Sequence, residues 1–340
     1  MSKRYSDYLR EKEKAKFRST QEKGREIYLS GISSEEHSPI LPDWEKQNHP
    51  LKLQITSRSC PENQPGIRDF SQESRYRIFP WLIHRYPDRV VVLASNRCFA
   101  YCRFCFRQDF LAQDPFQIGE EEIKTLIRYL KVHPEVKEVI ISGGDPLTLS
   151  DSILKKLIEK LGKVEHLTLL RLATRGLSFF PERFNSELVN ILKEASKPIW
   201  LVSHFNHYQE LTSETQKAIS LLRKAGIPTL NQTVLLKGVN NSSRILSQLF
   251  SRLTGMGIKP YYLFQCDPVP GAIDFVTPLE KSFQIMNELS QLSGLALPRF
   301  ALELPGYGKL SFFAGWKIQR EKEHYLFISP LGKTYLYPQF

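Results

Sequence analysis

The sequence has no long hydrophobic run, since no apolar stretch approaches the roughly 20 residues that a membrane-spanning helix needs. No apolar segment of the signal-peptide type follows Met1, so we expect neither an export signal nor a membrane partner. Internal repeats and low-complexity tracts are lacking too, which argues against a repeat architecture. What remains is an ordinary globular composition, with 41% hydrophobic and 24% charged residues.

Cysteine is scarce, and its placement is uneven. Of five cysteines in 340 residues, three lie within eight positions: Cys98, Cys102 and Cys105. They directly follow the apolar, β-branched run 90–95, which predicts a buried strand. The thiols are therefore expected on a loop at the C-terminal end of a strand, where α/β folds place their chemistry. Clustered free thiols also suit a reducing compartment, so a cytoplasmic location is expected.

The spacing C-x3-C-x2-C supplies three thiolates. Three thiolates can hold three irons of a [4Fe–4S] cluster and leave the fourth iron without a protein ligand. Structural zinc is the first alternative, but zinc favours four ligands, and Cys60 and Cys266 are isolated in the sequence. Unrelated core thiols are the second alternative. The pattern favours the cluster over both.

The net charge of +11 has more than one interpretation. Residues 1–26 carry nine Lys or Arg and five Asp or Glu in alternation, which is typical of a solvated helix face. The remaining excess could attract an anionic macromolecule such as RNA. It could equally serve phosphate and carboxylate groups of small ligands, so charge alone does not choose between them.

Strand and helix patterns alternate through the centre of the chain. Apolar runs predict strands at 90–95, 136–142, 167–172, 198–203, 229–236 and 260–266. Amphipathic stretches predict helices at 120–132, 150–161, 186–195, 213–225, 243–253 and 278–292. Six such units imply right-handed βα connections and a parallel sheet, most simply an open, partial (β/α)6 barrel.

Three regions follow from this pattern. Residues 1–80 read as an N-terminal helical and wrapping segment, rich in proline after its charged start. Residues 81–298 form the α/β core. Residues 299–340 form a short C-terminal extension, with a further short strand at 299–303 and hairpin character around 330–332.

The cysteine loop resembles that of the radical S-adenosylmethionine (radical SAM) superfamily, because Phe104 completes the pattern C-x3-C-x-φ-C with an aromatic residue. The resemblance implies that the open iron chelates the methionyl amino and carboxylate groups. One electron from the cluster then cleaves the sulfonium and yields a 5′-deoxyadenosyl radical. A second motif, Ser142, Gly143, Gly144 and Asp145, follows the next strand and resembles the glycine-rich segment that holds the methionyl amino group.

The wider arrangement resembles the lysine 2,3-aminomutase family. The matching segments follow in order after the cysteine triplet, at 142–145, 171–175, 204–207, 231–236, 265–267 and 305–309. By itself, a lysine in a turn such as Lys309 is usually a surface residue. The resemblance instead implies that Lys309 forms the internal aldimine with pyridoxal 5′-phosphate (PLP).

Further roles are implied position by position. Arg107 matches an arginine that binds the substrate α-carboxylate, and Asp267 and Glu303 match two acids that receive the distal ammonium of lysine. Two carboxylates suit an ammonium and would repel a glutamate substrate. The segment that holds PLP and its phosphate is matched by Arg85, Tyr86 and Arg89. We expect either contacts to SAM or PLP or structural polar roles for four further residues, Thr174, Arg175, His204 and Gln232.

Some positions depart from the family pattern. Glu303 stands where its lysine enzymes have Asp, and Ser242 replaces a cysteine that ligates zinc in longer members, so no structural zinc is expected. In length the chain resembles the shorter members that are linked to β-lysylation of elongation factor P.

The expectation is therefore an isomerase, an L-lysine 2,3-aminomutase that uses a [4Fe–4S] cluster, SAM and PLP to make β-lysine. A flavodoxin or ferredoxin is the expected electron donor, a homo-oligomer the expected state, and nucleic acid is not an expected partner. The alternatives are an aminomutase for another basic amino acid such as arginine, an RNA-modifying radical SAM enzyme, and a zinc-binding module without catalytic activity.

Overall fold

A computed structural model describes residues 50–55 and 65–340, which belong to one compact unit, Asp43–Phe340. The charged helix expected at the N-terminus, most of the wrapping segment and Cys60 lie outside the described residues. No helix in the part that the structure describes is long and apolar enough to cross a membrane.

One large open sheet dominates the described residues, and its ten strands follow one another in chain order. The strands are β1 (Arg77–Phe79), β2 (Leu82–Tyr86), β3 (Arg89–Ser95), β4 (Glu138–Gly143), β5 (Leu169–Thr174), β6 (Ile199–Ser203), β7 (Thr229–Leu235), β8 (Ile258–Gln265), β9 (Arg299–Leu304) and β10 (Gly308–Leu310). β3 to β9 pair in parallel, whereas β1 and β2 at one edge and β10 at the other pair antiparallel. Among these strands the sheet does not close, which confirms the predicted partial barrel.

Helices connect the parallel strands, as predicted. The described α-helices are α1 (Pro50–Ile55), α2 (Gln108–Leu111), α3 (Glu120–Lys131), α4 (Asp151–Gly162), α5 (Gly176–Phe179), α6 (Ser186–Lys193), α7 (Ser213–Lys224), α8 (Ser243–Gly255) and α9 (Leu279–Leu289). The six longer helices lie within three residues of the predicted bounds, because each buries an apolar stripe against the sheet. The stretch 299–303, predicted as a short strand, becomes β9 and adds a seventh parallel strand, since α9 returns the chain to the edge of β8.

The sequence of α3 shows how these helices are specified. Three acidic residues occupy its first turn and basic residues its last turn, which complements the helix dipole. Ile123, Leu126 and Leu130 recur at helical spacing and are buried in the core. The position of α3 between β3 and β4 is therefore fixed by one apolar face.

A separate three-stranded antiparallel sheet forms the C-terminal part of the chain. It consists of β11 (Lys317–Arg320), β12 (His324–Ile328) and β13 (Thr334–Pro338). The hairpin expected around 330–332 is the connection between β12 and β13. Phe327 and Tyr337 are buried, and the ring of Tyr337 meets that of Phe70 edge to face. This small sheet thus helps to fix the segment before β1.

Side chains on the strands alternate between two environments. On β5, Leu170, Leu172 and Thr174 are buried, whereas Leu169 and Arg171 are half-exposed. Because successive side chains on a strand point to opposite faces, Arg171 lies on the face away from the helices. That open face, together with the C-terminal ends of the strands, carries the polar residues described next.

Candidate active site

The cysteine loop, residues 96–107, is fixed at its base. Asn96 follows β3, and its side-chain amide donates to the carbonyls of Gln113 and Asp114 at 3.0 and 2.8 Å. Within the loop, the Cys105 N–H donates to the Cys102 carbonyl at 3.1 Å. The loop is also tied to α1, since the Arg103 N–H donates to the Gln54 carbonyl at 2.9 Å.

The three thiols of this loop affect one another. Burial, and then the charge of Cys102, raise the pKa of Cys105 to about 12, and burial followed by the charges of Asp145 and Cys102 raises the pKa of Cys98. Cys102 is therefore within electrostatic range of both other thiols. In the described parts of the chain no three Cys, His, Asp or Glu side chains form a group that could hold one metal ion. A [4Fe–4S] cluster needs no such group, because each thiolate ligates a different iron.

The donor set and its surroundings fit such a cluster. Thiolates are the ligands that iron–sulfur clusters take, and a guanidinium already lies against one of them: Arg175 Nη1 donates to Cys102 Sγ at 2.7 Å. Cys98, Cys102 and Cys105 would hold the cluster.

The glycine-rich motif lies directly against this loop. The N–H of Gly144 donates to the Ser95 carbonyl and that of Asp145 to the Arg97 carbonyl, both at 2.7 Å. A Cβ on Gly144 would lie 2.2 Å from the Arg97 carbonyl oxygen, and Gly143 has a φ of +128°. Both glycines are thus required for the close approach of two backbones, which makes the motif and the cysteine loop one structural unit.

Asp145 and Thr174 bind each other. The carboxylate of Asp145 accepts from the Leu147 N–H at 3.0 Å, from Thr174 Oγ1 at 2.9 Å and from the Arg175 N–H at 2.8 Å. Burial raises the pKa of Asp145 to about 6. These bonds join the ends of β4 and β5, which fits the structural alternative for Thr174, and a cofactor contact of Asp145 or Thr174 stays a prediction.

His204 directly follows β6, whereas Gln232 lies in the middle of β7. The Nε2 atom of His204 is 3.1 Å from Asn206 Oδ1, and its ring is 5.8 Å from that of Phe104. Burial, and then the charge of Arg175, lower the pKa of His204 well below its usual value. The ring is therefore neutral. Gln232 is half-buried on β7, where its register partner on β8 is Tyr262.

Lys309 lies on the edge strand of the sheet and is half-buried rather than exposed. It sits on β10 opposite Glu303 of β9, and its Nζ atom is 4.4 Å from the centroid of the Tyr262 ring. Burial lowers the pKa of Lys309, and the nearby positive charges of Arg89 and Arg171 lower it further. An amine with a lowered pKa is more often neutral, the state that attacks a carbonyl.

The three residues predicted to hold PLP surround this lysine. The hydroxyl of Tyr86 accepts from the Lys309 N–H at 3.4 Å, and the guanidinium carbon of Arg89 lies 3.9 Å from the centre of the Tyr86 ring. Arg85 passes close to Gly308, where a Cβ would lie 3.0 Å from its Nη2 atom. The structure thus brings Lys309 together with three residues that lie more than 200 positions earlier in the chain.

The two acids predicted for the distal ammonium lie in the same region. Arg85 Nη2 donates to Glu303 Oε1 at 2.6 Å, and both side chains are largely buried. The pKa of Asp267 is raised to about 8, by burial first and then by the charges of Glu303 and Glu73. A third carboxylate, Glu73, which sequence reasoning missed, therefore acts electrostatically on Asp267.

Arg107 holds that third carboxylate. Its Nε and Nη2 atoms donate to Glu73 Oε2 and Oε1 at 2.9 and 2.7 Å, and its Nη1 atom donates to Ser142 Oγ at 3.1 Å. Glu73 lies in a short 3-10 helix, Glu73–Tyr76, and its N–H donates to the carboxylate of Asp69. No sequence motif marks this position. A glutamate in an irregular segment is expected at the surface.

Gln54 and Glu210 were also missed. Both are fully buried and hydrogen-bonded to each other and to Arg175. Gln54 comes from α1 and Glu210 from the loop after β6, so no local pattern connects them with the site.

Comparisons with known proteins agree with this geometry. Residues 92–247 match the family model of the radical SAM superfamily. That family implies a [4Fe–4S] cluster and S-adenosylmethionine as cofactors, and its matched region contains all three cysteines of the loop.

Three curated relatives are similar over most of the chain. Proteins of Treponema pallidum (strain Nichols) and Aquifex aeolicus (strain VF5), both named "Putative L-lysine 2,3-aminomutase", are 44% and 41% identical over 237 and 261 residues. These matches cover 69% and 76% of this chain, and 66% and 70% of the relatives. The L-lysine 2,3-aminomutase of Clostridium subterminale is 37% identical over 271 residues, which are 79% of this chain and 65% of that protein. The chain thus spans about two thirds of the length of these relatives, and it belongs to the lysine 2,3-aminomutase family of radical SAM enzymes.

Proposed function

We propose that this chain is an L-lysine 2,3-aminomutase, an isomerase that moves the α-amino group of lysine to Cβ and so produces β-lysine. The observation that carries the proposal is the position of Lys309. Its amine lies in a half-buried site beside Tyr262, with its pKa lowered, next to the paired Arg85 and Glu303. A radical SAM enzyme without a carbonyl cofactor would have no use for such an amine.

The groups around Lys309 fit PLP. PLP supplies an imine bond to amines and a ring that spreads unpaired electron density, and the cluster with SAM supplies the radical. Arg85 and Arg89 offer guanidinium donors that suit a phosphate, and both guanidinium groups lie near the ring of Tyr86. Lys309 would hold the cofactor, and its lowered pKa favours the neutral amine that this bond requires.

Arg107 would orient the substrate through its α-carboxylate. Glu73 takes one edge of the guanidinium, and Ser142 takes one N–H of Nη1. After these three bonds one N–H of Nη1 and one N–H of Nη2 are left for a ligand. A carboxylate bound there by two charge-assisted hydrogen bonds would have a fixed direction, which keeps Cα and Cβ in one place during the migration.

Asp267 and Glu303 favour a substrate with a positively charged end. With Glu73 near them, the pKa of Asp267 is raised to about 8, which means that adding a cation beside these acids is favourable and adding a further carboxylate is not. An ammonium at this place would relieve the repulsion. A guanidinium would do so as well, so arginine is the second candidate substrate.

The test is anaerobic reconstitution with iron, sulfide, PLP, SAM and a one-electron reductant, followed by incubation with each amino acid separately. We expect conversion of lysine to β-lysine at a kcat/KM at least tenfold above that for arginine, because a fixed pocket distinguishes the two side chains by length. Preferred conversion of arginine would reassign the substrate, and conversion of neither would contradict the proposal. The electron donor, the homo-oligomeric state and the cytoplasmic location stay predictions.

A further inference from the structure

Arg175 places a positive charge directly behind the cysteine loop. The residue follows β5 and is buried, and its Nη1 atom donates to Cys102 Sγ at 2.7 Å. The other side of the guanidinium is also engaged, since Nε donates to the His204 carbonyl at 3.3 Å and Nη2 to Gln54 Oε1 at 3.0 Å. These contacts leave the guanidinium little freedom to turn away from the sulfur.

Glu210, which balances the charge of Arg175, is also held in place by hydrogen bonds. Arg175 Nη2 lies 3.3 Å from Glu210 Oε2, and Glu210 is fully buried. The carboxylate of Glu210 also accepts hydrogen bonds from Ser178 Oγ, Gln54 Nε2, Asn206 N and His207 N. With this many donors the position of the Glu210 carboxylate does not depend on Arg175 alone. The ion pair of Arg175 and Glu210 is therefore a buried, hydrogen-bonded pair and not a contact at the protein surface.

Aromatic rings enclose the same guanidinium. Its central carbon lies 4.6 Å from the centroid of Phe179 and 5.8 Å from that of Phe104, the aromatic residue of the cysteine motif. Exclusion of water lowers the local dielectric, so the charge of Arg175 acts on the sulfur with little screening.

We propose that Arg175 is a positioning residue that raises the reduction potential of the [4Fe–4S] cluster through its hydrogen bond to Cys102. Reduction adds one electron, taken from an external reductant, to a cluster that has no proton to gain. A cation and an N–H donor at a ligand sulfur stabilise the more negative, reduced state. Arg175 would thus make the cluster easier to reduce, and it would act without touching SAM or the amino acid.

The experiment is a redox titration of the reconstituted enzyme before SAM is added, with the reduced cluster measured by electron paramagnetic resonance. Arg175→Met removes the charge and the donor. We expect the equilibrium constant for one-electron reduction to fall at least tenfold, a shift of about 59 mV to more negative potential. Iron and sulfide content are measured in the same samples, so that only cluster-loaded protein is compared.

Arg171→Met is the matched control. Arg171 lies on the same sheet four residues earlier, and it pairs with Glu138 at 2.5 Å instead of with a cysteine. Its removal should shift the potential much less than removal of Arg175. Equal shifts in the two variants would show a general charge effect and overturn the proposal, as would a wild-type potential in Arg175→Met.

If Arg175→Met fails to retain a cluster, Arg175→Gln takes its place, since the amide can still donate to the sulfur without carrying a charge. Its potential should also fall, and an unchanged potential would overturn the proposal. The readout is independent of the amino acid that the enzyme converts. Failure of the proposed aminomutase activity and failure of this inference are therefore distinguishable.

Discussion

Glu73 binds Arg107 side-on, with two hydrogen bonds of 2.7 and 2.9 Å to one edge of the guanidinium. The orientation of Arg107 is thereby set before any substrate arrives. The helical turn that carries Glu73 is itself fixed, because both oxygens of Asp69 accept N–H groups at its start. An ordered guanidinium with N–H donors left over is the arrangement that a substrate carboxylate needs.

Replacing Arg107 by lysine should therefore lower kcat/KM for lysine strongly. The ammonium keeps the charge but loses the planar fork, and we expect a loss of roughly 100-fold, or about 2.7 kcal/mol. Steady-state kinetics of the reconstituted enzyme measures this loss. Arg68→Lys is the control, since Arg68 pairs with Asp109 at an exposed site and should change kcat/KM less than twofold. Equal effects of the two substitutions would remove Arg107 from the substrate site.

Lys309→Ala should abolish both PLP attachment and activity while the iron–sulfur absorbance remains. The variant deletes the amine beside Tyr262 and leaves the cysteine loop unchanged. Absorbance spectra of the PLP-loaded protein, and borohydride trapping followed by peptide mass spectrometry, measure the attachment. Lys259→Ala is the control, because that amine donates to the carbonyls of Gly294 and Leu297. Trapping of PLP on a peptide without Lys309 would reassign the lysine.

The raised pKa of Asp267, one of the two acids expected to receive the distal ammonium, predicts that kcat/KM for lysine depends on pH. The pKa of Asp267 is raised to about 8, so below pH 8 its carboxyl group is mainly protonated and must lose a proton before it can pair with an ammonium. The kcat/KM for lysine should therefore rise with pH through about 8, because this ratio reports groups of the free enzyme. Asp267→Asn should lower kcat/KM and remove the rise. Titration of lysine itself affects both enzymes equally, so the ratio of the two profiles isolates Asp267. A ratio that does not change with pH would contradict the assignment.

The hydrogen bonds of Asp145 predict that replacing this residue lowers the stability of the protein and does not only weaken cofactor binding. Its carboxylate accepts from Thr174 and from two backbone N–H groups, and Asp145→Asn should lower the free energy of unfolding by about 2–3 kcal/mol. Urea unfolding of the protein before cluster assembly measures this. Thr168→Val is the control, since Thr168 makes an exposed hydrogen bond and should cost less than about 0.5 kcal/mol. Unchanged stability of Asp145→Asn would restore a direct cofactor role for this side chain.

The sheet could be predicted from the sequence because its signals are local. The run 90–95 became β3, and each predicted helix carries one apolar face that packs on the sheet. The seventh parallel strand, β9, was visible as the short apolar stretch 299–303, but its pairing with β8 depends on the path of α9. The division of the chain at residues 80 and 298 stays a prediction.

The pairing of side chains within the site could not be predicted in the same way. Arg85 and Glu303 were assigned to different ligands, yet they form an ion pair across 218 positions. Glu73, Gln54 and Glu210 lie in short or irregular segments, where a polar residue carries no periodic signal. Their roles follow from their burial and from the hydrogen bonds that they make with other residues. Only the folded chain shows these contacts.

The central claim is that the cysteine loop and Lys309 serve one reaction on lysine. Incubation of the reconstituted enzyme with lysine that carries deuterium at Cβ tests it most directly. The account predicts that deuterium moves into the 5′-carbon of recovered SAM and into β-lysine, and that Cys102→Ala and Lys309→Ala each abolish this transfer. Formation of β-lysine with no deuterium in SAM, or transfer that persists in Lys309→Ala, would contradict it.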